Sequence, residues 1–178
     1  MPKSPTSQRL RLRAIRKSEL PELEAAIAHE AGGFNDFGNA PRPIPDDAWT
    51  DGELRNDRRT VLLIERSEDG APLGTIQYNR LSYGPNPESA AWMIGIELLP
   101  EARDKGYGTE AQRLLADWLF ETTPANRVEA STDVENLAEA RSLEKAGFTR
   151  EGVIRGAQFR AGAFHDLVVF SRLRSDPR

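Results

Sequence analysis

Residues 103–109 read RDKGYGT and combine the residue types that hold an anion. Gly106 and Gly108 free the backbone to adopt positive φ angles and let a ligand approach closely. A strand-like segment precedes this stretch and a helix-like segment follows it, so unpaired N–H groups and a positive helix end are expected there. Arg103 and Lys105 add positive charge, and Thr109 adds a hydroxyl group. The spacing therefore predicts a site for a pyrophosphate or a similar anion.

Two glycines this close together also occur in ordinary tight turns, so the spacing alone does not specify a nucleotide site. No third glycine follows at the spacing of a dinucleotide-binding fingerprint, and no Gly-Lys-Ser/Thr sequence marks a P-loop. The loop also follows a middle strand rather than the first strand of a βαβ unit. These two kinds of nucleotide site are excluded, and a simple tight turn stays the alternative.

The composition limits the classes of chemistry. The chain has 178 residues and no cysteine, which excludes a thiol nucleophile, a disulfide framework and a zinc–thiolate site, and we expect no metal. With 24 basic and 28 acidic residues the net charge is −4, which disfavours a nucleic-acid partner. The first ten residues lack the apolar core of a secretory signal, and no apolar run is long enough for a membrane helix. We expect a cytoplasmic protein without a membrane partner.

The hydrophobic pattern predicts one domain over residues 1–178, with residues 1–7 and 175–178 frayed. A strand precedes a helix that Ser18 would cap, and residues 45–57 are compatible with a short second helix. A hairpin and a strand with Gly95 in its middle follow, and this glycine suggests a bulge or a close backbone approach. Helix, strand, helix and two final strands complete the chain. The order excludes a purely parallel sheet and favours a mixed α+β fold, with a mixed sheet flanked by helices.

Three stretches carry a family resemblance. Residues 103–108 fit R-x-x-G-x-G between a strand and an amphipathic helix, which resembles the acyl-CoA motif of the GNAT N-acetyltransferase superfamily. Residues 132–156 resemble the RimJ/RimL-like branch in the asparagine at the start of the last helix, the E-K-x-G-F ending and the E-G-x-x-R-G strand. FHDLVVFSRLR is similar to the terminal strand of that branch. The resemblance covers residues 61–174.

The resemblance implies the GNAT fold, in which a mixed, mostly antiparallel sheet is splayed at its fourth strand. Acetyl-CoA, the co-substrate, would enter the gap, and its pantetheine would pair with the backbone around residues 97–99. Its pyrophosphate would lie on the glycine turn. The implied cofactor-binding residues are Leu98, Leu99, Arg103, Asp104, Lys105, Gly106, Tyr107, Gly108, Thr109 and Asn136.

The chain differs from this branch at the positions whose side chains usually donate or accept protons during catalysis. Many relatives have a glutamate where this chain has Met93, and a serine three residues after the helix asparagine where this chain has Glu139. The tyrosine that other GNAT enzymes use in that helix falls at Leu143. The mechanism of the relatives therefore cannot be carried over residue by residue.

Glu97 is the predicted general base, because it lies two residues beyond Gly95 at the expected splay, where Ile96 and Leu98 should face the other side. An exposed strand glutamate is the alternative. Glu139 could face the thioester sulfur, although a glutamate inside a helix is ordinarily solvated. His165 is a further candidate, although a strand histidine with satisfied hydrogen bonds is the simpler interpretation.

Phe34, Phe37 and Trp49 lie where this fold usually builds the wall of its acceptor pocket. Residues 32–45 are rich in glycine and proline, and loops of this length are usually functional or disordered. Phenylalanines in such a loop are hard to explain as core, so we expect these three residues to contact the acceptor.

The leading hypothesis is an N-acetyltransferase that moves an acetyl group from acetyl-CoA to a primary amine, by direct attack in a ternary complex. The acceptor would be a protein N-terminus or a small molecule. The alternative is a protein that binds acyl-CoA without turning it over, which the missing proton carriers favour. The resemblance also leaves room for a homodimer, since relatives often pair.

Overall fold

Helices and strands alternate along the chain in nearly the predicted order. The computed structural model describes residues 4–26, 33–34, 37, 49–50, 53–54 and 59–177. The strands are β1 (Leu10–Ala14), β2 (Trp49–Thr50), β3 (Glu53–Leu54), β4 (Arg59–Arg66), β5 (Pro72–Ser82), β6 (Ala90–Leu98), β7 (Arg127–Asp133), β8 (Thr149–Arg160) and β9 (Ala163–Leu173). The helices are α1 (Leu20–Ala26), α2 (Tyr107–Thr122) and α3 (Leu137–Lys145).

The central sheet has the strand order β1-β4-β5-β6-β7-β9-β8. Its neighbouring strands are antiparallel except β6 and β7, which run parallel. α2 connects these two parallel strands as a crossover helix, which parallel pairing requires. The predicted mixed α+β fold is therefore confirmed.

The parallel pair β6–β7 opens into a gap. Within the described residues the two strands pair only at Trp92–Val128 and Met93–Glu129. β6 continues to Leu98 and β7 to Asp133 without pairing to each other, while β7 stays paired with β9 to its end. Because β6 is the fourth strand of this sheet along the chain, the predicted splay at the fourth strand is confirmed.

β6 contains no bulge, which corrects one of the two expectations for Gly95. Its register against β5 is continuous from Leu98–Gly74 to Ala90–Ser82. Gly95 is instead a place of close approach, because a Cβ there would lie 3.1 Å from Nε2 of Gln77. The sheet does carry an irregularity in β4, between Ile64 and Glu65.

Two local predictions in the first third of the chain are wrong. Residues 49–50 and 53–54 pair as a small antiparallel hairpin and do not form a helix. Ser18 does not cap α1 but lies inside a 3₁₀ turn, Lys17–Glu19. Glu19 organises this turn, since its carboxylate accepts hydrogen bonds from the Arg16 N–H at 2.9 Å and from the Arg13 guanidinium at 2.7 Å. A charged pair across the turn thus outweighs the local preference of serine.

Residues near both ends of the chain make hydrogen bonds to strands of the sheet. Pro5 is buried, and its carbonyl accepts a hydrogen bond from the Leu12 N–H at 2.9 Å. At the other end, Asp176 accepts from the Leu173 N–H at 2.8 Å. Pro5 and Asp176, which lie in the ends that we expected to be frayed, thus make hydrogen bonds to residues of β1 and β9.

The main core lies between the sheet and the helices α2 and α3. Leu115 and Leu119 of α2 pack with Ile94, Val128 and Phe170 of the sheet, and all five side chains are buried. A smaller cluster, formed by Ile15, Leu23 and Leu63, marks the packing of α1. In the described part of the chain, no helix has both the length and the apolar character needed to cross a membrane.

Candidate active site

The glycine turn between β6 and α2 presents backbone donors. Asp104 and Gly106 have left-handed φ angles of 59° and 78°. α2 begins at Tyr107 with no side-chain cap from Gly106, and Glu110 makes a helical bond to the Gly106 carbonyl, at 3.1 Å. The N–H groups of the first turn precede that bond and have no carbonyl within the helix to accept them. This arrangement fits the pyrophosphate site predicted from the sequence.

Gly108 has a different role from Gly106. It lies within the first turn of α2 and lacks the positive φ angle that we expected at both glycines. A Cβ there would lie 3.4 Å from Cδ1 of Leu98 and 3.5 Å from Oγ of Ser142. Gly108 therefore marks the point where the start of α2 touches both the end of β6 and α3.

Arginine side chains from before β1 and from β4 contact the residues of the glycine turn. Arg9 donates a hydrogen bond to the Lys105 carbonyl at 2.9 Å, and its guanidinium lies 4.5 Å from the centre of the Tyr107 ring. Arg9 also pairs with Glu110 at 3.2 Å. Hydrogen bonding from Arg9 and, less strongly, from Arg66 lowers the pKa of the Tyr107 hydroxyl. Sequence analysis missed Arg9, because nearly a hundred positions separate it from the turn.

Every second residue of β6 turns its backbone toward the gap. The Leu99 N–H donates to the Leu73 carbonyl at 2.9 Å, and residues alternate between the two neighbours of a strand. The odd-numbered residues therefore bond to β5, whereas Ile94, Ile96 and Leu98 face the side where β7 has diverged. The geometry thus favours Leu98 over Leu99 as a partner for a ligand in the gap, and it adds Ile96, which we had not predicted.

Glu97 lies on the sheet face opposite α2. Ile96 and Leu98 pack against the main core, as expected, so Glu97 shares the other face with Gly95 and Met93. The Glu97 side chain is half-buried and is not a fully solvated strand residue. Its place at the gap is compatible with the predicted role as base, which stays a prediction.

A buried charge network closes the end of β7 beside the β8–β9 hairpin. The Arg160 guanidinium donates to Asp133 at 2.5 Å, and both side chains are buried. His165 Nδ1 lies 3.2 Å from Arg160, and its Nε2 lies 3.1 Å from the Arg160 carbonyl oxygen. Desolvation opposes the ionisation of Asp133, but hydrogen bonds from the Glu135 N–H and Arg160 keep its pKa below the ordinary value. Both ring nitrogens of His165 are thus engaged within the network.

The same network contacts the predicted acceptor wall. Arg160 donates to the Gly33 carbonyl at 3.2 Å and lies 5.3 Å from the centre of the Phe34 ring. Phe34 and Phe37 are 39% and 47% exposed, so neither is a core residue. Trp49 lies in β2, and its side chain is outside the described residues, as is most of the segment 32–45.

The start of α3 holds the two polar residues singled out in the sequence. Asn136 caps the helix, since its Oδ1 accepts from the Glu139 N–H at 3.2 Å and its Nδ2 donates to Thr132 at 3.0 Å. Glu139 lies in the first turn and is half-buried, contrary to the expectation of a solvated mid-helix glutamate. Desolvation raises the pKa of Glu139 to about 7, against the opposing effect of a hydrogen bond from Gln112. Leu143 is fully buried and carries no proton.

Comparison with known proteins identifies the family. Residues 9–149 match the acetyltransferase (GNAT) domain model. The chain belongs to the GNAT acetyltransferase superfamily. The "probable N-acetyltransferase YjcK" of Bacillus subtilis (strain 168) is 32% identical over 123 residues, which is 69% of this chain. The match spans 66% of that relative, just under two thirds of its length.

Solved structures agree on the GNAT fold. The ribosomal-protein-S5-alanine acetyltransferase of Vibrio fischeri has a TM-score of 0.77 and 19% identity, covering 99% of this chain and 100% of its own. The spermidine N-acetyltransferase of Vibrio cholerae, solved with CoA and spermine, has a TM-score of 0.77 and 16% identity, covering 96% and 98%. Two proteins named for different acceptors thus resemble this GNAT protein equally well.

Acetyl-CoA is the co-substrate that the family implies, and two features of this chain fit it. Uncapped N–H groups at the start of α2 suit a pyrophosphate, and the even-numbered residues of β6 offer the backbone edge that pantetheine amides need. Within the described residues, no cluster of three or more histidine, aspartate or glutamate side chains could hold a metal ion.

Proposed function

We propose that this protein is an N-acyltransferase that transfers an acetyl group from acetyl-CoA to a primary amine within a ternary complex. One observation carries the proposal: β6 and β7 part after two residue pairs, directly beside the uncapped start of α2. An unpaired backbone edge and a group of uncapped N–H groups therefore lie side by side. A phosphate-bearing ligand with amide groups in its arm matches both.

Different residues would bind acetyl-CoA, stabilise the transition state and accept the proton of the amine. Leu98 and Ile96 would bind the pantetheine amides, and residues 103–109 would bind the pyrophosphate, with Asn136 beside them. A backbone N–H of the gap edge would stabilise the negative charge that develops on the acyl oxygen. Glu97 would take the proton that the amine must lose before or during attack. Bound acetyl-CoA supplies an activated acyl group, so positioning and proton transfer are the contributions required of the protein.

The acceptor is a protein N-terminus or a small-molecule amine. The Vibrio fischeri and Vibrio cholerae structures are named for these two classes and have the same TM-score against this chain, so the fold does not choose between them. The acceptor wall includes Phe34 and Phe37, and Arg160 supports it from the β8–β9 hairpin. We also place the reaction in the cytoplasm, where we expect the protein and where it can draw on acetyl-CoA.

Two measurements on the full chain test the proposal. Equilibrium dialysis should give saturable binding of CoA and weaker binding of ATP. Thiol release from acetyl-CoA should then depend on added amine, with a panel that contains spermidine and short peptides with free N-termini. CoA binding without release for any amine would instead favour the non-catalytic acyl-CoA-binding protein. Absence of CoA binding would reject both functions.

A further inference from the structure

A chain of polar side chains joins α2 and α3 where both helices begin. The hydroxyls of Thr109 and Ser142 lie 3.1 Å apart, and the Ser142 hydroxyl donates to Oε1 of Gln112 at 3.1 Å. The Gln112 amide nitrogen then donates to the Glu139 carboxyl group. Gln112 is only 1% exposed, so its polar groups lose their contact with water when the protein folds. This desolvation costs free energy that an apolar contact between the two helices would not cost. Of the residues in this network, only Thr109 has a role in the proposed function.

The direction of the hydrogen bonds prepares Glu139 to carry a proton. Because Ser142 occupies the Gln112 oxygen, the amide N–H₂ group faces Glu139. One carboxyl oxygen accepts this bond, and the second oxygen can hold a proton without breaking it. Desolvation keeps the pKa of Glu139 near 7, and within the described residues no charged side chain contributes to that shift. Both the acid and the carboxylate are therefore present at neutral pH.

The network lies at the gap. α2 follows β6 and α3 follows β7, and the carboxyl ends of two parallel strands that part form a crevice beneath the helix starts. Gly108 shows the proximity directly, since a Cβ there would touch both Leu98 of β6 and Ser142 of α3. Glu139 thus lies on the helix side of the sheet, whereas Glu97 lies on the opposite face.

We propose that Glu139 is the acid that protonates the CoA sulfur when the acyl group leaves, an inference that rests on the proposed function. The amine nitrogen forms the new bond to the acyl carbon and loses one proton to Glu97. The carbon–sulfur bond breaks, and its electron pair stays on sulfur. Glu139 gives its proton to that sulfur and becomes a carboxylate. Glu97 then releases its proton to water, and Glu139 takes one up from water, so both groups return to their starting states. The net change is the movement of one proton from the amine to the thiol.

The matched variants are Glu139→Gln, which keeps the hydrogen bond from Gln112 but has no proton to give, and Glu144→Gln, an exposed change at the other end of α3. At pH 7 we expect kcat to fall about 10²-fold in Glu139→Gln and to stay within twofold in Glu144→Gln. The kcat of the wild type should also decrease as the pH rises through about 7, and the pH profile of Glu139→Gln should lack this decrease. Equal pH profiles in the two variants would overturn the proposal.

A spectroscopic readout tests the same residue without turnover. In protein labelled with ¹³C at glutamate carboxyl groups, the resonance that disappears in Glu139→Gln should titrate near pH 7. CoA should shift the midpoint of that titration, whereas desulfo-CoA, which lacks the sulfur, should leave the midpoint unchanged. An ordinary midpoint near 4.3, or equal effects of the two ligands, would refute the role of Glu139 alone. Failure of the wild type to bind CoA would refute the proposed function as well.

Discussion

Two carboxyl groups meet the gap from opposite faces of the sheet. Glu97 lies on the sheet face opposite α2, and Glu139 lies in the first turn of α3. An amine must lose a proton and a thiolate must gain one, so two proton carriers on separate sides suit a transfer in which the acceptor and the thiol approach from different directions. By the family resemblance, Met93 and Glu139 stand where many relatives have a glutamate and a serine, and in the proposed reaction Glu97 and Glu139 are the two proton carriers.

Replacing Glu97 by glutamine keeps the size of the side chain and removes its charge. If Glu97 is the base, kcat/KM should fall about 10²-fold near neutral pH, because proton removal by a positioned base contributes about 10²–10⁴-fold. Part of the loss should return at higher pH, where more of the amine is already neutral. Steady-state kinetics checks this, with CoA affinity unchanged. Glu88→Gln, an exposed change before β6, is the control, and an activity of Glu97→Gln within threefold of wild type would reject the assignment.

Glu139 should also make stability depend on pH. Its pKa is about 7 in the folded state and near 4.3 when the chain unfolds, so between these values the folded state holds a proton that the unfolded state has lost. Stability from this group is therefore present below about pH 4.3 and lost as pH rises toward 7. Relative to wild type, Glu139→Gln should gain about 3 kcal/mol of unfolding free energy over that window. Urea denaturation at several pH values measures it, and a constant difference would count against the raised pKa.

At the scale of secondary structure, three elements create the site. β6 supplies the open edge, the turn after it presents uncapped N–H groups, and α2 approaches β6 and α3 at Gly108. The left-handed Gly106 ends the turn and lets α2 begin without a capping side chain. A capping oxygen there would consume the same N–H groups that a phosphate requires.

Gly106→Val should weaken CoA binding more than tenfold. Valine is strained at a φ angle of 78°, so the turn would reorganise and its N–H groups would no longer converge. Gly70→Val is the matched control, because Gly70 has a similar φ angle of 74° in the β4–β5 turn. Both variants should lose stability by similar amounts in thermal melts, but only Gly106→Val should lose CoA affinity in dialysis. Equal CoA affinity in the two variants would contradict the phosphate site.

Gly74 lets β5 lie against the end of β6. Its φ angle is 143°, and a Cβ there would lie 2.2 Å from the Glu97 carbonyl oxygen and 2.7 Å from Cα of Leu98. Gly74→Ala should therefore destabilise the fold by about 2 kcal/mol or more, through backbone strain and displacement of β6. Gly152→Ala, where nothing lies within 4 Å of the new Cβ, should change stability by less than about 0.5 kcal/mol. Chemical denaturation measures the unfolding free energy of both variants. Similar values would show that β5 and β6 can move apart to accept the new methyl group at little cost.

At the scale of the whole molecule, the site joins distant parts of the chain. Arg160 donates a hydrogen bond to Asp133 at the carboxyl end of β7. It also contacts Gly33 and Phe34, which lie far earlier in the sequence. Arg9 links the first strand region to the glycine turn. Residues from the first fifth of the chain thus contact both the glycine turn and the β8–β9 hairpin.

Phe34→Ala and Phe37→Ala should raise the KM of the acceptor more than that of acetyl-CoA. Both rings are exposed, and Gly33 and Phe34 contact Arg160 of the β8–β9 hairpin. Initial rates over a grid of both substrates separate the two constants. Val153→Ala, an exposed apolar truncation on the edge strand β8, controls for general loss of surface apolar groups. Equal changes in both KM values would contradict an acceptor wall.

The sequence by itself determined the order of most elements, the GNAT family and the position of the glycine turn before α2, because these depend on local periodicity and on residues close together along the chain. Gly106, Asn136 and Gly147 carried that information, and each lies at a helix boundary where one residue type dominates the backbone geometry. The splay was implied only through the family. The wrong predictions, a cap at Ser18, a helix over residues 45–57 and a positive φ at Gly108, are places where local preference competes with contacts from elsewhere.

Only the tertiary structure decided which side chains meet. Arg9 reaches Lys105, Arg160 reaches Gly33, and Gln112 reaches Glu139, and no periodicity within one segment encodes such pairs. The choice of Leu98 over Leu99 depends on which neighbour each backbone group of β6 faces, and the register with β5 determines that. The raised pKa of Glu139 is a consequence of burial between two helices, so a glutamate that is ordinary in sequence becomes a candidate acid in the folded protein.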